Sequence, residues 1–205
     1  ALSKLPVVFV FSHDSVAVGE DGPTHQPVEQ LGQLRLIPNI TTFRPYDMAE
    51  CVAGYDWFYG NKKPICLCVA KTATNPINSK EDMSTGAYFV TNDKADINIV
   101  SIGADVQIAL EVKEELKKAN IIANVISMIS LEVFEKQPNK TKNRFLNKPL
   151  FVIEASTCAK YLKYTSDNKI FNMTNFGVSG DVESVKSHYG FDVKTIVNKI
   201  KKEIK

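Results

Sequence analysis

Val7-Val8-Phe9-Val10-Phe11-Ser12-His13-Asp14-Ser15-Val16-Ala17-Val18-Gly19-Glu20-Asp21-Gly22-Pro23-Thr24-His25-Gln26-Pro27 is the run of residues whose reading decides the fold. Its first five residues are β-branched or aromatic and do not alternate with polar ones. That is the pattern of a strand covered on both faces, and it predicts a buried central strand over residues 6–11. The strand opens directly into Ser-His-Asp. In open α/β sheets, ligands gather beyond the carboxyl ends of the strands. The loop that follows holds Gly19, Glu20, Asp21, Gly22, Pro23 and a second histidine, His25, before a helix begins. Such a loop can set two imidazoles and a carboxylate around one small polar molecule.

Moving outward, Pro27 and Glu29 mark a helix start, with Val28, Leu31 and Leu34 at helical spacing and Pro38-Asn39 as the stop. Residues 39–43 read as a short strand ending at Arg44-Pro45. Asp47 followed by Glu50 makes a capping-box pattern for a helix over about residues 48–59, closed by Gly60-Asn61. Residues 65–70 form a third buried strand that ends at Lys71. Strands alternating with helices predict a parallel sheet, with His13, Arg44 and Asp47, and Lys71 on one rim. Residues 72–84 are polar and aperiodic, the expected linker.

A second α/β unit follows. Strands are expected at 97–102, 121–128, 150–154 and 170–176, with Thr157-Cys158-Ala159 after the third. A helix opens at Gly103-Ala104-Asp105; Val106, Ala109, Leu110 and Leu116, with the stem of Lys113, form its apolar stripe. One glycine there falls short of a dinucleotide fingerprint, so the turn reads as an ordinary βα connection rather than a phosphate site. A last helix over 193–204 is amphipathic, with Val193, Ile196, Val197, Ile200 and Ile204 on one face. The fold class is α/β: two three-layer units with mostly parallel sheets.

Composition limits the partners. The 205 residues are 44% apolar, enough for a soluble chain with a real core. A net charge of +2 suggests no nucleic-acid partner. No signal peptide or membrane-spanning run is present. The four cysteines include no CxxC pair. Cys66 and Cys68 share one strand face and are hard to bridge, and Cys51 and Cys158 fall in different units. Reduced thiols and a cytoplasmic location are the expectation. Starting at Ala1, a few residues before a core strand, the chain reads as a fragment or a processed product.

Ser12-His13-Asp14-Ser15, the run Gly19-Glu20-Asp21-Gly22-Pro23-Thr24-His25-Gln26-Pro27 with Val28-Glu29-Gln30-Leu31, and Arg44-Pro45-Tyr46-Asp47 together resemble a segment of transketolase. Transketolase is the thiamine-diphosphate enzyme of the pentose phosphate pathway. The whole chain is similar to roughly the last third of a subunit. Residues 1–75 resemble the end of the pyrimidine-binding domain and residues 76–205 the carboxy-terminal domain. The resemblance implies a homodimer that moves a two-carbon ketol unit from a ketose phosphate to an aldose phosphate. Thiamine diphosphate, held with Mg2+, supplies the carbanion. The protein then holds hydroxyls, shuttles protons and binds phosphate.

By the same resemblance His25 contacts the transferred ketol unit, for proton transfer or hydroxyl binding, a task suited to an imidazole. Asp21 reads the hydroxyl beside the acceptor aldehyde. His13 lies near the substrate phosphate, and Lys71 stands where the family usually grips that phosphate. The bland alternatives are that His25 caps the following helix, Asp21 forms a turn before Gly22, and His13 is a strand-end histidine bonded to backbone. Asp14 and Glu20 read as structural acceptors of loop hydrogen bonds.

Two departures from the family pattern stand out. The family usually shows Ser-Arg-Gln where this chain has Ala70-Lys71-Thr72, which keeps the charge and loses the bidentate fork. Phe176-Gly177-Val178-Ser179-Gly180 replaces the usual Phe-Gly-Glu-Ser-Ala-Pro. The family's catalytic glutamate, its pyrimidine-stacking aromatics and its metal motif have no counterpart in the chain. No cofactor ligand and no metal ligand is therefore assigned within it. Dihydroxyacetone synthase is a rival reading, as is deoxyxylulose-phosphate synthase, although the latter has another residue where His13 stands. A non-catalytic dimerisation or regulatory module is a third.

Overall fold

The computed structural model describes residues 1–157 and 159–204. Among these residues the strands form two sheets. The first holds β1 (Val8–Asp14), β2 (Thr41–Phe43) and β3 (Ile65–Ala70) in the order β1-β3-β2, all parallel. Turns of 3-10 helix over Val16–Thr24 lead from β1 to α1 (Gln30–Leu36), and α2 (Met48–Asn61) joins β2 to β3. The Asp47 carboxylate caps α2 by accepting from the Glu50 N–H at 3.1 Å. The helix stops where Lys62 turns left-handed, at φ 52°.

The second sheet runs β4 (Tyr88–Phe89), β6 (Ala123–Ser127), β5 (Ile97–Ser101), β7 (Leu150–Glu154), β8 (Ile170–Asn172), with β4 antiparallel and the others parallel. Its side chains alternate between two cores. Ile97, Ile99, Phe151 and Ile153 pack with α3 (Val106–Lys118) and α7 (Val193–Ile204). Val100, Leu150 and Val152 face the opposite way, towards Phe134 on α4 (Leu131–Glu135) and Phe145 on α5 (Asn139–Leu146). Both faces of this sheet are covered, the three-layer arrangement expected of a mostly parallel sheet.

Several expectations are corrected. Among the described residues β1 stands at the edge of the first sheet rather than at its centre, which β3 holds. Among the described residues β1 pairs with β3 alone, and Phe9, Val10 and Phe11 are 42%, 55% and 46% exposed. The strand expected over 170–176 ends at Asn172, where its pairing with Glu154 ends. β4, α4, α5 and α6 (Val182–Tyr189) form where no apolar period marks them. For α6 the local signals are present in the sequence: Asp181 caps it by accepting from the Ser184 N–H, and Gly190 ends it at φ 70°. Of the Thr157-Cys158-Ala159 turn, Cys158 lies outside the described residues. Cys51, Cys66 and Cys68 are free thiols. Among the described residues no helix is long and apolar enough to cross a membrane.

Candidate active site

The site begins at an irregularity in β1. Phe11 pairs with Cys68 and Asp14 with Ala70, so β1 spends one residue more than β3 across this interval. This is a β-bulge, a device that re-aims side chains near sheet ends. Within it His13 has φ 65° and Ser15 follows at φ 92°. Asp14 is turned into the interior, 4% exposed, while His13 stays at the mouth.

The following turn is pinned by contacts with the carboxyl-terminal unit. Gly22 has φ 71°, and a Cβ there would lie 2.1 Å from the Ser179 Oγ, so only glycine meets both conditions. The buried Gln26 amide donates to the carbonyls of Val16, Gly19 and Val178 at 3.3, 3.2 and 3.0 Å. Gln26 was not singled out from the sequence, where nothing sets it apart from a solvated glutamine. The divergent stretch Phe176 to Gly180 thus lies against the loop.

His13 and His25 face each other with ring centroids 6.0 Å apart and planes at 58°. Both line a cavity of about 400 Å³, walled also by Phe11, Gln30, Leu31 and Leu34. Nδ1 of His13 lies 2.9 Å from the Ser12 hydroxyl, and Nδ1 of His25 lies 2.9 Å from the Thr24 hydroxyl. With Nδ1 engaged, Nε2 is the nitrogen each ring has left to offer. α1 takes Glu29 as its N-cap, so His25 does not cap that helix. Burial pushes the thiol of Cys68, in the cavity wall, up to about 12, which keeps it neutral and unreactive at physiological pH.

Lys71 and Asp21 form a second pair. The Lys71 ammonium donates to the Asp21 carboxylate at 2.8 Å, with the two side chains 51% and 36% exposed. That hydrogen bond and the Lys71 charge hold the Asp21 carboxyl below its usual range, and His25 and His13 act in the same direction. The four candidate residues thus sit as two pairs, with Asp21 and Lys71 outside the cavity wall. A larger groove of about 820 Å³ between α3 and α7 is lined by exposed helix faces such as Glu111, Glu114, Lys194 and Lys201; none of the candidate residues lies there.

Arg44 does not lie on the rim. It is fully buried, its Nε donating to Asp14 and its Nη1 2.9 Å from Asp105. Asp47 is occupied as a structural acceptor, for Glu50 at the start of α2 and for the Ile77 N–H at 2.8 Å. Asp14 is an acceptor, as expected, with a guanidinium for its donor. At the Gly103 turn a Cβ would meet the Arg44 Cγ at 2.8 Å, so the Arg44 stem packs directly on this glycine. The turn is an ordinary βα connection.

Residues 1–76 match the family model described as the transketolase pyrimidine-binding domain, and residues 86–192 match the transketolase-like C-terminal domain. The chain belongs to the transketolase family. Transketolase of Bacillus subtilis (strain 168) is 37% identical over 214 residues, an overlap of 98% of this chain and 32% of that protein. The crystal structure of transketolase from Campylobacter jejuni superposes with a TM-score of 0.86 at 36% identity, covering 94% of this chain and 31% of the other. A Pichia stipitis transketolase in complex with sedoheptulose-7-phosphate superposes at 0.89 with 32% identity, over 98% of this chain and 30% of that one. The chain spans about a third of the length of the curated relatives it matches.

Thiamine diphosphate, which the family implies, needs a divalent ion beside its diphosphate. Among the described residues no group of three or more His, Cys, Asp or Glu side chains is arranged to hold a metal. The residues present do not fit that end of the cofactor.

Proposed function

We propose that the complete protein is a transketolase and that this chain supplies its sugar-phosphate mouth. The protein would carry a two-carbon ketol unit from a ketose phosphate to an aldose phosphate, acting as a cytoplasmic homodimer. Free thiols at Cys51, Cys66 and Cys68 suit a reducing compartment. We assign thiamine diphosphate and Mg2+ to parts of the protein outside these residues, because the matched relatives are far longer than the chain.

One observation carries the reading: two imidazoles face each other across a single cavity mouth, on the loop that also bears Asp21. An imidazole can donate or accept at Nε2 near neutral pH, so His25 would hold a hydroxyl of the ketol unit and move its proton. His13 would donate to the substrate phosphate. Asp21 would accept the hydroxyl beside the acceptor aldehyde. An ammonium has three donors, so Lys71 can keep Asp21 with one N–H and take phosphate oxygens with the others.

The test is Lys71→Ala in the complete protein. Charge-assisted hydrogen bonds contribute on the order of 1.5–3 kcal/mol each, so KM for a phosphorylated aldose should rise about tenfold or more. The unphosphorylated counterpart should change little. The measured quantity is the ratio of kcat/KM for the two acceptors. Equal loss on both, or on neither, would remove Lys71 from the phosphate site.

A further inference from the structure

We propose that Arg44 is a positioning residue for His13, and that the carboxyl-terminal unit holds it in place through Asp105 and Glu154. The proposal deepens the reading above and rests on it for the consequence at the substrate phosphate.

Arg44 sits where the two sheets meet. Its Nε donates to Asp14, the residue next to His13 in β1. Its Nη1 lies 2.9 Å from Asp105 and 3.8 Å from Glu154, both from the carboxyl-terminal unit. Glu154 is gripped in turn by Arg35 of α1 at 2.7 Å. Asp105 also accepts the Ala155 N–H at 2.7 Å, and the backbone N–H of Arg44 donates to Ile129 at 3.0 Å. All five side chains are buried. A buried charge cluster is a poor source of stability, because desolvation offsets most of the attraction; fixing one geometry is a better-attested use.

The geometry it fixes is unusual. His13 at φ 65° and Ser15 at φ 92° lie in a region that residues with a Cβ avoid. Such backbone persists only where its surroundings over-determine it. Between those two residues stands Asp14, and its carboxylate is tied to a buried guanidinium that Asp105 and Glu154 also hold. Gly103 packs closely on the Arg44 stem: a Cβ there would lie 2.8 Å from the Arg44 Cγ. A tie between two sheets alone would not need to pass through the residue beside His13.

Arg44→Lys tests this, because one ammonium keeps the charge but cannot serve Asp14 and Asp105 together. Asp105→Asn is the second variant; it keeps an acceptor for the Ala155 N–H and lowers the excess of acids over Arg35 and Arg44, so it decides alone if Arg44→Lys does not fold. Two readouts are taken on the complete protein. The first is the imidazole resonance of His13, assigned by its loss in His13→Asn. It should shift or broaden in both variants, while that of His188 on α6 stays in place. The second is steady-state kinetics, where KM for phosphorylated aldoses should rise about tenfold with kcat nearly kept. An unchanged His13 resonance in a folded variant overturns the proposal. A moved resonance with unchanged KM leaves the positioning standing and overturns the assignment of His13 to the phosphate.

Discussion

Asp21 is exposed, and so is the lysine it holds, so their ion pair contributes little to stability; screening by water leaves such pairs near zero. Its consequence is local. Lys71 occupies Oδ2 and orients the carboxylate, and in the proposed function Oδ1 would accept the substrate hydroxyl. A site built to bond one hydroxyl rejects the epimer, because the carboxylate is then left without its donor. Asp21→Ala in the complete protein should therefore flatten discrimination between acceptors that differ in configuration beside the aldehyde. The ratio of kcat/KM for the two epimers reports it, and an unaltered ratio would contradict the role. At this scale the sequence was informative about what touches solvent. That His13 and His25 flank one short loop was legible, and they do meet across it; the roles given to them and to Asp21 come from the resemblance. Arg44 was misplaced on the rim. Nothing in its neighbours reveals that a bulge turns Asp14 inward to meet it.

At the scale of elements, α2 shows a partial success and its physical reason. Asp47 caps the helix as its position predicts, but Glu50 does not complete a capping box. It accepts instead from the Tyr46 N–H at 2.8 Å, the Tyr88 hydroxyl at 2.9 Å and the Ser127 hydroxyl at 2.6 Å. Two of those donors belong to the second sheet, so Glu50 joins the units. Burial pushes its carboxyl up to about 7, despite the three donors. A folded-state pKa raised above its unfolded value contributes stability that is full below about 4.5 and is lost as pH rises through about 7. Between those limits the unfolding free energy should fall by on the order of 3 kcal/mol from this group. Glu50→Gln should flatten that part of the pH profile in urea unfolding; an identical slope in wild type and variant would exclude it. The strands of the second sheet were legible because their apolar runs are long. β1 was placed at the centre because its composition reports burial on both faces, not which neighbour provides it. β4 has two residues and α4 five, too short for any period to show.

Across the whole molecule, the two units meet over the Arg44 cluster, over Glu50 and over Gln26 beneath the loop that bears His25. The loop is therefore held from the carboxyl-terminal side, although His13 and His25 come from the amino-terminal side. What the described residues lack is a metal cluster for a diphosphate. Residues 1–205 alone should bind thiamine diphosphate more weakly than micromolar by calorimetry, even with Mg2+ present, and micromolar binding would show that the cofactor site is here after all. The central claim is that this mouth serves ketol transfer. Its most direct test is His25→Ala in the complete protein, assayed with thiamine diphosphate, Mg2+, a ketose phosphate donor and an aldose phosphate acceptor. The account predicts transfer by the wild type and a loss of about a hundredfold or more in kcat for the variant, the usual contribution of a proton-handling group. A wild type that transfers no ketol unit, or a variant that turns over at the wild-type rate, would contradict it.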